Sequence, residues 1–69
     1  MKYTNEYLNN KTFTCSEIEY TMKNFKERRC ELWKDGKLHD ADYPVLIIVD
    51  SLEEGTWILI EKEESYEIY

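Results

Sequence analysis

The chain has 69 residues with 15 acids, nine bases, a formal net charge of −6, ten aromatic residues and two cysteines. A domain this short buries only about 60% of the surface of its unfolded chain, so large aromatic side chains must supply much of its core. The charge is uneven. Residues 1–39 carry six acids and eight bases, whereas residues 40–69 carry nine acids and a single base, Lys62. An acidic half of this kind repels nucleic acid and excludes a binder built on a basic stripe. It attracts basic partners by long-range steering. The longest apolar run, residues 45–49, falls far short of the ~20 residues that span a membrane. Met1, Lys2, Tyr3, Thr4 and Asn5 lead into polar sequence, which predicts no signal peptide and a cytoplasmic protein. One domain is expected over residues 1–69, with residues 1–12 as a flexible arm or a short helix.

In chain order, Tyr3, Tyr7 and Leu8 fit a short helical turn capped by Thr4, or equally an extended arm. Asn9, Asn10 and Lys11 then signal a turn. Thr14-Cys15-Ser16-Glu17 and Ser16-Glu17-Ile18-Glu19 both have the form of a capping box. Cys15, Ile18, Met22 and Phe25 fall on one helical face. Glu17 and Glu19 sit at the start, and Lys23, Lys26, Arg28 and Arg29 at the end, as the helix dipole favours. A helix is therefore expected here. Ile18, Tyr20 and Met22 also alternate, which leaves a strand as the competing assignment.

Asp35-Gly36 separates two strand-compatible runs, residues 31–34 and 37–40, and suits a tight hairpin because both central residues of the usual turn need positive φ. Pro44 lacks a backbone donor and is expected at the start of the next strand. Residues 45–49, continuous and mostly β-branched, predict a central strand. Asp50 to Gly55 would connect it to a returning antiparallel strand over residues 56–61. Tyr66 to Tyr69 would form a last edge strand or a frayed tail. The expected architecture is α+β, with one helix packed on an antiparallel sheet of four or five strands built from consecutive hairpins. Its expected core is Phe13, Ile18, Met22, Phe25, Leu32, Leu38, Leu46, Ile48, Trp57 and Leu59.

Trp33, Gly36, Leu38, His39, Asp42 and Pro44, followed by the apolar run 45–49, resemble a short repeat of phage and large-virus proteins and of bacterial proteins related to MORN repeats. That repeat reads roughly Trp-Tyr-x-Asn-Gly-x-Leu-His-Arg-x-Asp-Gly-Pro-Ala. Asp40, Tyr43 and Val45 depart from it, standing where the repeat has arginine, glycine and alanine. A second, truncated copy would begin at Gly55-Thr56-Trp57, 24 residues after the first in the spacing of Trp33 to Trp57. The resemblance implies hairpin architecture and a viral or mobile-element setting, and it carries no shared activity.

Reactive chemistry has little to build on. His39 is the sole histidine, and a hydrogen bond to backbone is its expected role. Cys15, Cys30 and His39 lack metal-ligand spacing. Cys15 is expected as a small, reduced core residue. Cys30 beside Arg28 and Arg29 has no base to make it a nucleophile. The only glycines, Gly36 and Gly55, make no phosphate loop. No catalytic residue, metal or cofactor is therefore expected.

The acidic half supports a more specific expectation. Glu53, Glu54, Glu61, Glu63, Glu64 and Glu67, with Asp40, Asp42 and Asp50 nearby, are expected to imitate the phosphate rows of a nucleic acid. Tyr66 and Tyr69 would add rigid contact area. The partner would then be a basic host protein such as a nuclease or CRISPR effector. Together with the phage-like repeat, this points to a small acidic inhibitor of a bacterial defence factor, working in the host cytoplasm. The plainer explanation of the same carboxylates is a solvated face that keeps the protein soluble. The alternative from a different class is a self-associating module, a homodimer or structural component, without inhibitory activity.

Overall fold

The computed structural model describes residues 3–60. They form a short helix α1 (Asn5–Leu8), strands β1 (Thr12–Cys15), β2 (Ile18–Lys26), β3 (Arg29–Lys34) and β4 (Lys37–Pro44), a helix α2 (Val45–Glu54) and strand β5 (Ile58–Ile60). The five strands make one sheet in the order β4-β3-β2-β1-β5, antiparallel throughout. Three hairpins in succession build β1 to β4. Then α2 carries the chain from the β4 edge to the opposite edge, where β5 pairs with β1. The α+β class, with a helix packed on an antiparallel sheet of five strands, is as expected. The last strand is not joined by a hairpin.

The helix and the long strand have exchanged places relative to the sequence expectation. Residues expected as a helix form the β1–β2 hairpin, turning at Ser16 and Glu17, whose φ values of 54° and 69° are both positive as a two-residue hairpin turn requires. Helical spacing misled here for a geometric reason. Cys15 and Ile18 are cross-strand partners and share a face, as do Ile18, Tyr20 and Met22 by alternation. A bulge between Lys23 and Lys26, with Asn24 at φ 53°, then shifts the alternation by one residue. Phe25 thereby also packs against the core. A hairpin and a bulge have reproduced a helical stripe.

Residues 45–49 open α2 and are not a central strand. Val45, Ile48, Val49 and Leu52 are its buried side, at the i, i+3, i+4, i+7 spacing of a helix face. Leu46, at 68% exposure, and Ile47 point outward. Pro44 does not start a strand. It ends β4 and caps α2 at φ −67°, a value its ring already imposes. The N–H of Val45 donates to the carbonyl of Arg28 at 2.9 Å, so a helix donor without an internal partner completes the sheet ladder. Gly55, at φ 86°, closes the other end, where the N–H groups of Gly55, Thr56 and Trp57 all donate to the Ser51 carbonyl. The expected polar connection, residues 50–55, is therefore mostly helix.

Other elements follow their local sequence. Asp35 and Gly36 turn between β3 and β4 with φ 54° and 76°, as their residue types predict. Thr4 caps α1, its hydroxyl accepting the N–H of Tyr7 at 3.1 Å. The short helical turn is thus the form taken, and Asn5 Nδ2 ties it to the carbonyl of Glu27 at 2.8 Å.

The core consists of Leu8, Phe13, Met22, Cys30, Leu32, Val45, Ile48, Val49 and Leu52, with Phe25, Trp57 and Leu59 packed partly against it. Three expected core residues are instead exposed: Ile18, Leu38 and Leu46. Ile18 lies at a hairpin end, and Leu38 shares a register position with Trp33, on the face opposite Leu32. Leu46 was assigned by strand alternation with Ile48, and the helix separates the two.

Candidate functional site

Two surfaces carry chemistry. The first is the outer side of α2, where Asp50, Glu53 and Glu54 are exposed at i, i+3 and i+4, one turn beyond the exposed Leu46 and Ile47. No basic residue occupies the last turn of this helix. Carboxylates at a helix C-terminus meet its negative end, a placement that costs about 0.3–1 kcal/mol each at a surface. At the opposite end the Arg28 carbonyl receives the Val45 N–H, and Arg28 and Arg29 are exposed. The side-chain charges therefore add to the helix dipole, and the negative field concentrates at the Glu53–Glu54 end.

Of the residues expected to bind a partner, Glu53 and Glu54 stand on this helix end. Glu61, Glu63, Glu64, Tyr66, Glu67 and Tyr69 lie outside the described residues, as does the expected strand at the end of the chain. Asp50 joins the Glu53–Glu54 patch. Asp40 and Asp42 belong to β4 instead. Asp42 faces Arg29 Nε at 3.8 Å, both side chains well exposed, a pair worth at most about 1 kcal/mol. Asp40 Oδ1 accepts the backbone N–H of Asp42 at 3.0 Å. What the sequence left out of this surface were Leu46 and Ile47. Their signal was present in the spacing of Val45, Ile48, Val49 and Leu52, which turns the two residues between to the outside.

The second surface is a small cavity of about 170 Å³, whose lining includes Phe13, Tyr20, His39, Asp40, Tyr43 and Trp57. Trp57 stacks on Phe13, with ring centres 4.6 Å apart and planes 4° from parallel. It also meets Tyr43 at 6.2 Å. Tyr20 lies against Phe13 at 5.6 Å and against His39 at 5.2 Å. His39, expected on a backbone hydrogen bond, is an exposed partner of an aromatic ring. Burial raises the Tyr43 hydroxyl above its ordinary pKa, with Cys15, Asp40, Cys30 and Tyr20 acting in the same direction.

Cys15, expected in the core, packs against it from its margin, and Cys30 lies within it. Cys30 is buried and Cys15 only half-buried. Burial, followed by the Asp40 and Glu31 carboxylates, pushes the Cys30 thiol up to about 11, the opposite of what activates a nucleophile. Among the described residues no three histidine, cysteine or acidic side chains converge as a metal site would require.

On the face of the sheet away from α2, Glu31 Oε1 accepts from Asn24 Nδ2 at 2.8 Å and from Trp33 Nε1 at 3.0 Å. These two bonds, with Lys26 and Lys23 nearby, hold its carboxyl below the usual range. Lys23 Nζ stands 4.8 Å from the Trp33 ring centre. Glu31 and Lys23 thus both find partners within the sheet. No described helix is long and apolar enough to cross a membrane. Compared with family profiles, curated proteins and solved structures, the chain matches none.

Proposed function

We propose that the protein acts by binding a basic protein partner through the outer side of α2, and that the partner is a nucleic-acid-handling defence factor of a bacterial host. The observation that carries this proposal is the patch of Asp50, Glu53 and Glu54, set at the end of the helix where it lowers stability and beside the exposed Leu46 and Ile47. A solubility device needs charge but has no use for two aliphatic side chains next to it. A docking patch uses both: the carboxylates steer a basic partner, and the aliphatic pair supplies contact area that excludes water. Rows of carboxylates also imitate phosphates, which suits a partner whose own ligand is nucleic acid. The sequence after Ile60 adds Glu61, Glu63, Glu64 and Glu67 to the same charge.

The test is capture from a bacterial lysate at low and moderate salt, with wild-type protein and the Asp50→Asn/Glu53→Gln/Glu54→Gln variant compared. A basic nuclease or CRISPR effector is expected, released as salt rises and weakened at least tenfold by the variant, a loss of about 1.4 kcal/mol. Unchanged capture by the variant rejects the α2 patch. Recovery of the protein alone rejects the inhibitor and favours the self-associating module, for which the β4 and β5 edges of the sheet are the available surfaces.

A further inference from the structure

The ring-lined cavity is not used by the docking patch, and its chemistry is different. Five rings follow one another along it: Tyr43 against Trp57 at 6.2 Å, Trp57 on Phe13 at 4.6 Å, Phe13 against Tyr20 at 5.6 Å, and Tyr20 against His39 at 5.2 Å. Among the described residues that line it, Asp40 is the one carboxylate, and there is no lysine or arginine. The faces of tyrosine and tryptophan rings carry negative electrostatic potential and attract cations, most strongly where water is scarce. A half-buried carboxylate adds to that potential, and its influence is visible nearby: Asp40 contributes to raising both the Cys30 thiol and the Tyr43 hydroxyl. The volume of about 170 Å³ is below the ~300 Å³ at which pockets for larger organic ligands begin. It therefore suits a single compact head group. An anion would meet Asp40 with no lysine or arginine among the described lining residues to offset it.

We propose that this cavity binds a methylated ammonium group, held against the Tyr20, Tyr43 and Trp57 rings with Asp40 as its counter-charge. Such a group is apolar on its outside and positive overall, so it fits rings that offer both contact area and potential. A primary ammonium is less suited, because it is a compact, strongly hydrated point charge that gives up more water on entering. The same chemistry occurs on free choline-like molecules and on methylated lysine side chains of proteins. The site stands apart from the Asp50–Glu53–Glu54 patch, so either assignment can fail without the other.

The test is titration of isotope-labelled protein with choline, with its uncharged isostere carrying tert-butyl in place of trimethylammonium, and with sodium chloride as the ionic-strength control. Choline is expected to produce saturable shifts in the indole resonance of Trp57 and in the amides of His39 and Asp40, leaving the indole of Trp33 unmoved. The isostere should bind at least tenfold more weakly. Asp40→Asn keeps an oxygen able to accept the Asp42 N–H and should lower choline affinity about tenfold, the effect of removing one close charge in a partly screened site. Tyr20→Leu, which removes the ring between Phe13 and His39, should lower it further. A peptide carrying trimethyllysine tells the two sources apart: tighter binding than choline assigns the site to a protein side chain, and equal or weaker binding to a free small molecule. No saturable shift beyond that of sodium chloride overturns the proposal. Equal affinity for the isostere, or an Asp40→Asn variant that binds choline as wild type does, overturns it as well, leaving an apolar gap between packed rings.

Discussion

At the scale of single residues, Cys30 shows how burial replaces reactivity. Its sequence neighbours Arg28 and Arg29 would favour a thiolate, yet both are exposed while Cys30 is 2% exposed. With the folded-state pKa raised from 9.0 to about 11, the thiol favours folding fully below pH 9, and that contribution disappears as pH rises toward 11. Tyr43, raised as well, adds a loss in the same direction. Wild-type stability, measured by urea unfolding across this window, should therefore fall by on the order of 2 kcal/mol more than that of Cys30→Ala. The comparison concerns the slope against pH, since Cys30→Ala also loses packing at every pH. Under native conditions a thiol reagent should label Cys15 well before Cys30, and in urea both at similar rates. Equal labelling in the folded protein would contradict the buried position of Cys30.

At the scale of elements, α2 is where strand propensity and helical periodicity competed. Val45, Ile47, Ile48 and Val49 favour strands by their branching, but that preference amounts to about 1 kcal/mol across the whole scale. Burying one side chain of this size contributes about 1.5–3 kcal/mol, and the helix buries four of them, Val45, Ile48, Val49 and Leu52. Strand and helix make opposite demands on Leu46 and Ile48. A strand puts them on one face, whereas in α2 Ile48 is fully buried and Leu46 is 68% exposed. Ile48→Ala should cost about 2–5 kcal/mol, and Leu46→Ala less than about 0.5 kcal/mol, both read from denaturant midpoints. Similar costs for the two would restore the strand.

At the scale of the whole molecule, Phe13 joins parts that are distant in sequence. It pairs with Tyr20 on β2 and Leu59 on β5, stacks on Trp57 and is completely buried. The crossover through α2 is held closed largely at this residue, because β5 is only three residues long. Phe13→Ala should cost about 3–5 kcal/mol, against a total of roughly 3–10 kcal/mol for a domain of this size. Near-ultraviolet circular dichroism, which reports the packed tryptophan and tyrosine rings, should then show a large loss of signal at ambient temperature. A variant that retained its signal and unfolding midpoint would show that β5 docks without this ring.

The sequence by itself determined what depends on neighbouring residues. The Asp35-Gly36 turn was legible, and the Thr4 cap as one of two readings, because positive φ and capping are properties of one residue and those beside it. Part of the core was legible as well: Met22 lies in it and Cys15 and Phe25 pack against it, whereas Ile18 is exposed. The choice between helix and strand was not, since a two-residue hairpin and a one-residue bulge can place a helical spacing on one face of a sheet. The candidate site divided in the same way. The acidic character of the second half is a matter of counting, but which carboxylates stand together depends on α2 being a helix. The ring-lined cavity draws Phe13, Tyr20, Asp40 and Trp57 from four separate stretches. Only tertiary structure brought them together, because the antiparallel register and the crossover that sets β5 beside β1 are decided by which arrangement buries both the α2 stripe and the aromatic rings at once.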